Sequence, residues 1–273
     1  MPQLTDMKEL GNIFWVDFSE NLKPRAKFEP QEAHFEGKEY SLFCAVVDKA
    51  TSEKAYDYHY YISDDRTHDA AFADIAMNDL INHYPDIEYS PVIRFRMDNC
   101  KNQFKCLKTF SRYKEISKKL GKPLIIYYGI PGHGKGLVDA CSSFGVKQPL
   151  RRACIIDDKM FNSATEILED LKHEFSHIDN RFYREVTSEE LSENRDNYSQ
   201  ERDLVIEGCM SMRAICFFPD GSLQTKEELC ACHCCKLGIF SSCIYPTKLK
   251  DFTTNITKQD MTISLEHVVK TAR

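Results

Sequence analysis

A chain of 273 residues, 42% hydrophobic and 29% charged, has apolar content for one good-sized core with room for a small appendage. No stretch approaches the roughly 18 or more apolar residues of a membrane span, and the polar start MPQLTDMKELGN lacks a secretory hydrophobic region, so the sequence reads as soluble and intracellular. A net charge of −6 opposes strong nonspecific adhesion to nucleic acid, and any such contact has to come from a local basic surface.

In chain order, short runs rich in β-branched and aromatic residues fall at Asn12–Val16, Tyr40–Val47, Tyr56–Ile62, Val92–Met97 and Leu124–Tyr128, each bounded by Gly, Pro, Asp or Asn. Helical periodicity appears at about His68–His83, between the third and fourth strands, and at about Asn102–Leu120, between the fourth and fifth. Another amphipathic helix runs from about Met160 to Ile178. Thr187–Asp203 is polar and charge-rich and reads as a linker or an exposed helix. Beyond about Leu204 come a β-like run at Ala214–Phe218, a turn at Pro219-Asp220-Gly221 and a crowded set of cysteines. The pattern predicts a main α/β domain over residues 1–185 and a small Cys-rich region over 204–273.

Two strand ends carry carboxylates. Asp17 closes the first strand, in Trp15-Val16-Asp17-Phe18, and Asp98 closes the fourth, in Arg96-Met97-Asp98-Asn99. If those strands are neighbours, both carboxylates face one sheet edge, a geometry that suits a divalent metal. Phosphoryl transfer by two Mg²⁺ ions about 3.5–4 Å apart needs such hard oxygen ligands. A third acid, Asp139, follows the fifth strand after the glycine-rich turn Gly132-His133-Gly134-Lys135-Gly136, where His133 and Lys135 would contact phosphate oxygens or move a proton. An Asp at a strand end is ordinarily a turn former. The Gly132–Gly136 spacing is not that of a P-loop.

These residues together resemble transposable-element-derived proteins with a DDE-type, ribonuclease H-like domain of transposase or integrase type. The resemblance covers about residues 12–155. It rests on Asp17-Phe18-Ser19-Glu20-Asn21, Ser63-Asp64 with His68-Asp69, Asp98-Asn99 with Asn102-Gln103-Phe104-Lys105, and Gly132–Gly136 with Asp139. It implies a mixed five-stranded sheet with flanking helices, Mg²⁺ or Mn²⁺ at Asp17, Asp98 and Asp139, strand cleavage and joining on DNA, a nuclear location, and homo-oligomers or other transposase subunits as partners. Ser142-Ser143 stands where a Gly-Gly pair is expected, and Asp98-Asn99 replaces Asp-Gly. With the chain starting almost at its first strand, without a separate DNA-recognition domain, these departures favour a domesticated or non-catalytic relative that binds nucleic acid or protein.

Three further patterns bear on function. On a helical wheel, Lys101, Lys105, Lys108, Arg112 and Lys119 form a narrow stripe, with Cys106, Phe110, Tyr113, Ile116 and Leu120 on another face. Such a stripe is ordinarily a solvated surface, and under the resemblance it would steer DNA phosphates toward the acids. His173-Glu174-Phe175-Ser176-His177 has the H-E-x-x-H form of a zinc metalloprotease, with Glu190, Glu193, Glu201 or Glu207 as a third ligand. However, Asn180 and Tyr183 break the extended form, and Ala164, Ile167, Leu168, Leu171, Phe175 and Ile178 share a face roughly opposite both histidines. Finally, seven of the twelve cysteines lie scattered in strand and helix patterns and five crowd between Cys230 and Cys243. Cys230, Cys232, Cys235 and Cys243 have metal-ligand spacing, with Cys209 and Cys216 as substitutes, so they read either as a structural Zn²⁺ site or as reduced, partly buried thiols.

Overall fold

The computed structural model describes residues 10–25, 37–50, 56–100, 103–129, 136–200, 204–206, 209, 211–228, 230, 232–243, 249–250 and 256–257. The first three strands, β1 (Ile13–Leu22), β2 (Tyr40–Asp48) and β3 (Tyr56–Ser63), form an antiparallel meander. β4 (Ile93–Met97) then pairs parallel with β1, and β5 (Leu124–Tyr128) pairs parallel with β4. The central order is therefore β5-β4-β1-β2-β3, in which β2 alone runs against the rest.

The β2 sequence YSLFCAVVD explains its central place. It is a nearly continuous apolar run rather than an alternating one, so it needs cover on both faces. Phe43, Ala45 and Val47 face one apolar cluster, and Tyr40, Leu42, Cys44 and Val46 face another. The first cluster is closed by α1 (Ala70–His83) and α2 (Leu107–Leu120), which deliver Phe72, Met77, Leu80, Phe110, Tyr113 and Ile116. The second is closed by α3 (Leu137–Ser142), α4 (Gln148–Ile155) and α5 (Ala164–Glu174), through Val138, Cys141, Leu150, Ile167 and Leu171. The result is a mixed sheet between two helical layers.

The helix ends follow local chemistry. The Asp69 carboxylate accepts from the Phe72 amide at 3.0 Å and starts α1, and Ser163 does the same for α5 through Glu166 N at 3.2 Å. α2 stops at Gly121, whose φ of 65° is the left-handed conformation glycine adopts at low cost. Between α3 and α4 the chain makes a π-helical turn, Ser143–Lys147. Gly145 lies against Tyr60 there, so closely that an added Cβ would sit 1.9 Å from the tyrosine oxygen.

Several boundaries differ from the sequence expectation. β1 does not stop at Val16 but continues along β2 to Leu22. α2 starts at Leu107 rather than Asn102, because the amides of Phe104 and Lys105 both turn back onto the Cys100 carbonyl at 3.1 Å. β6 (Arg181–Glu185) has no apolar signature and is half-buried throughout; it pairs parallel with β3 at the sheet edge. Thr187–Asp203 largely becomes α6 (Ser188–Gln200), which docks on α1. Asn194 donates to the Ala71 carbonyl at 2.8 Å, and Arg195 reaches Asp69 at 2.7 Å and Asp65 at 2.6 Å.

Among the described residues from Leu204 onward, three strands join the main sheet. After the two-residue β7 (Leu204–Val205), β8 (Ala214–Phe217) pairs antiparallel with β5, and β9 (Leu223–Lys226) with β8. A short helix, α7 (His233–Lys236), follows, and β10 (Leu249–Lys250) caps that edge, giving the main sheet nine strands among the described residues; β11 (Ile256–Thr257) pairs with β7 in a separate pair. Among the described residues, no helix is long and apolar enough to cross a membrane.

Candidate functional site

The register places the acids. β1 and β4 pair in parallel up to Val16 opposite Met97, so Asp17 and Asp98 are the next residues along the two strands. Successive side chains alternate across a sheet. Val16 and Met97 belong to the α1–α2 cluster, so Asp17 and Asp98 point to the other face. Asp17 also lies opposite Cys44, which packs in the cluster under α3–α5. α3 opens on that same face and carries Asp139. Sheet alternation and helix placement thus bring three acids far apart in sequence to one edge.

Their electrostatics record the approach. Burial pushes the Asp17 carboxyl up to about 7, and the negative charges of Asp98 and Asp139 add to the rise against a stabilising hydrogen bond from the backbone of Phe18. Asp98 and Asp139 are exposed. Asp139 is also bound to its own helix: its Oδ2 accepts from Gly136 N at 2.8 Å, an N-terminal cap that leaves Oδ1 outside that bond. The three carboxylates do not meet closely enough for one ion to touch all of them as they stand; the only group of donors that close among the described residues is made of cysteines. His133 and Lys135 lie outside the described residues.

A cation that sequence reading did not single out occupies the acid face. Arg96, exposed and two residues before Asp98, lays its guanidinium over the Trp15 ring at 4.3 Å. Alternation within Arg94-Phe95-Arg96-Met97 could have flagged it, since Phe95 and Met97 are core residues and Arg96 must point the other way.

Lys105 does not join the expected basic stripe. α2 packs on the face opposite the acids. Lys105 is buried rather than aligned with Lys108, because the turn at Cys100 folds it inward. Its ammonium donates to Asn99 Oδ1 at 2.8 Å and to the Met212 carbonyl at 2.6 Å, and lies 4.7 Å from the Tyr128 ring centre. Burial pushes its pKa down to about 8, with the nearby Arg213 charge adding to the fall and Cys209 opposing it. Arg112 reaches Asn194 at 3.4 Å and Asp74 at 4.0 Å. Lys108 is half-buried and Lys119 exposed, while Lys101 lies outside the described residues.

The H-E-x-x-H segment is not one helix. α5 ends at Glu174 and Phe175 caps it, so His177 falls in the following turn. His173 and His177 are exposed, and Glu174 is paired with Arg152. A zincin site needs both histidines on one continuous helical face, and this backbone does not supply it.

The cysteines do converge. One sulfur each from Cys230, Cys232, Cys235 and Cys243 lies within 4.8 Å of all the others. Cys232 and Cys243 are 3.7 Å apart, and Cys243 and Cys230 3.8 Å. A tetrahedral thiolate site with metal–sulfur bonds of about 2.3 Å has sulfur–sulfur edges of about 3.8 Å, so the donor set fits a metal such as zinc. Cys234 approaches Cys232 at 3.0 Å but is not one of the four. Cys216 packs into the neighbouring apolar cluster as a core residue, and Cys209 lies beside the α1–α2 cluster.

The fold and its sites define an α/β protein with a mixed sheet, an acidic edge and a four-cysteine group near the C-terminus. Residues 4–228 match the family described as a domain of unknown function (DUF8701), and the chain belongs to that family. No curated protein and no solved structure matches it.

Proposed function

We propose that this protein is a DDE-type, transposase-like relative with a ribonuclease H-like domain, acting on DNA by metal-dependent phosphoryl transfer. The observation that carries the reading is the placement of Asp17 and Asp98. They are next in line on adjacent parallel strands, on one face, with Asp139 on the helix that opens over that face. The central order β5-β4-β1-β2-β3, with β2 reversed, supports the same fold reading.

The raised Asp17 carboxyl reflects first its burial and then the charges of Asp98 and Asp139 beside it, and a bound cation would offset both. Asp17 and Asp98 would hold Mg²⁺ or Mn²⁺, whose chemistry there is to stabilise the attacking and leaving oxygens of a phosphodiester. Arg96 would pair with a phosphate on the same face. Asp139 would join once its carboxylate releases the Gly136 amide. DNA as substrate implies a nuclear location.

The second reading, a non-catalytic binding relative, is favoured by one specific feature: Asp139 is already satisfied as a helix cap. Titration of Mg²⁺ or Mn²⁺ into the wild type and Asp98→Ala, with nicking of a DNA duplex as readout, separates the two. Metal binding and nicking that vanish in Asp98→Ala support the catalytic reading; DNA binding without metal uptake or cleavage supports the second. For the four cysteines we propose a structural zinc ion.

A further inference from the structure

Lys226 is the last residue of β9 and its side chain is almost wholly enclosed, 1% exposed. Its Nζ lies 2.9 Å from Cys235 Sγ and 3.0 Å from Cys243 Sγ. A buried ammonium is costly unless anions surround it, and neutral thiols are weak acceptors. The cysteines therefore suit Lys226 best as thiolates.

Charge accounting points the same way. Four thiolates around one divalent cation leave two excess negative charges in a partly buried site. One ammonium offsets half of that excess. β9 is built to meet this segment: Gln224 and Lys226, two residues apart on one face of the strand, both turn to it. Gln224 Oε1 accepts from Phe240 N at 2.9 Å and from Ser241 N at 3.3 Å.

We propose that Lys226 is the charge partner of the cysteine site, donating N–H···S hydrogen bonds to the Cys235 and Cys243 thiolates and thereby lowering their nucleophilicity and retaining the metal. This inference rests on the zinc reading of the four cysteines and is independent of the acidic edge. Lys226 is a positioning residue, not a ligand. Nothing in the spacing of Cys230, Cys232, Cys235 and Cys243 reveals it, because its partner sulfurs follow it by 9 and 17 residues.

The test uses the full chain loaded with zinc. Metal content and competition with a chromophoric chelator give stoichiometry and affinity, and alkylation by iodoacetamide with zinc release as readout gives thiolate reactivity. The wild type is expected to hold one zinc per chain. Lys226→Gln should keep that stoichiometry, bind zinc about 10- to 100-fold more weakly, as loss of an outer-shell partner typically does, and release it faster on alkylation. In the Co²⁺-substituted protein the sulfur-to-metal charge-transfer band should move to lower energy in Lys226→Gln and return in Lys226→Arg. A merely structural role for Lys226 would not move that band. If Lys226→Gln does not fold, Lys226→Met against Lys226→Arg carries the same readouts. Unchanged affinity, alkylation rate and band position in the charge-removing variant overturn the assignment of Lys226 while leaving zinc in place. A wild type that takes up no zinc overturns both.

Discussion

Replacing Asp17 by Asn should stabilise the metal-free protein at pH 8 and not at pH 4. The Asp17 carboxyl stands at about 7 in the folded chain against an ordinary value of 3.8. Because the folded value is raised, the folded state keeps a proton that the unfolded chain has already released between about pH 4 and pH 7. Stability therefore falls as pH rises through that window, and the whole penalty is present above pH 7. At about 1.4 kcal/mol per pKa unit the ceiling is roughly 4 kcal/mol, and solvent reaching the half-buried carboxylate brings it to about 2 kcal/mol. For a chain of this size that is a Tm increase of roughly 4–8 °C at pH 8 for Asp17→Asn. Thermal unfolding followed by circular dichroism, at pH 4 and pH 8 in chelator, measures it. Added Mg²⁺ should raise the Tm of the wild type at pH 8 and leave Asp17→Asn unmoved, since binding to the native state alone is stabilising. A Tm change equal at the two pH values, or a variant less stable at pH 8, would refute the argument that like charges and burial crowd this edge.

Two further substitutions test the packing. Lys105→Ala should cost about 2–4 kcal/mol in denaturant unfolding, because it strips the Met212 carbonyl of its ammonium donor; Lys119→Ala, at an exposed site, should stay within about 0.5 kcal/mol. Comparable losses in both would mean that Lys105 is not the inward-turned residue of the pair. Gly145→Ala should lower stability by about 1–3 kcal/mol, since its methyl would enter the space of the Tyr60 ring, and Gly145→Ala combined with Tyr60→Phe should recover part of that loss in the same assay.

The α/β class, the mixed sheet and the cysteine group were legible because each has a local signal. β2 announces its central place through unbroken apolar character, Asp98 sits directly after a strand whose end the sequence marks, and Asp17 follows the apolar run that opens β1, although that strand continues past it. β6 was not legible: Arg-Phe-Tyr-Arg-Glu is an edge strand held by pairing with β3, and its half-buried side chains leave no clear alternation. The inward turn of Lys105 was hidden for a different reason. A helical wheel assumes helix from Asn102 onward, whereas two amides folding onto the Cys100 carbonyl shorten it and rotate Lys105 off the stripe. The H-E-x-x-H pattern, which the sequence already set against Asn180, Tyr183 and the apolar face, shares that cause, since its second histidine lies past the helix end. Lys226 belongs to tertiary structure alone.

The long-range closures at the two sides of the sheet also set an order for folding. β3 gains its outer neighbour only when Arg181–Glu185 is available, more than a hundred residues later, and β5 gains its neighbour only with Ala214–Phe217. Until then the strand Leu-Ile-Ile-Tyr-Tyr presents an open, uncharged row of amides and carbonyls, the kind of edge that recruits other chains. Such distant pairing also makes for slow folding. A piece ending between β6 and β8 would carry all three acids yet expose that row, so its solubility, rather than its catalytic residues, would set whether the acidic edge can be studied in isolation.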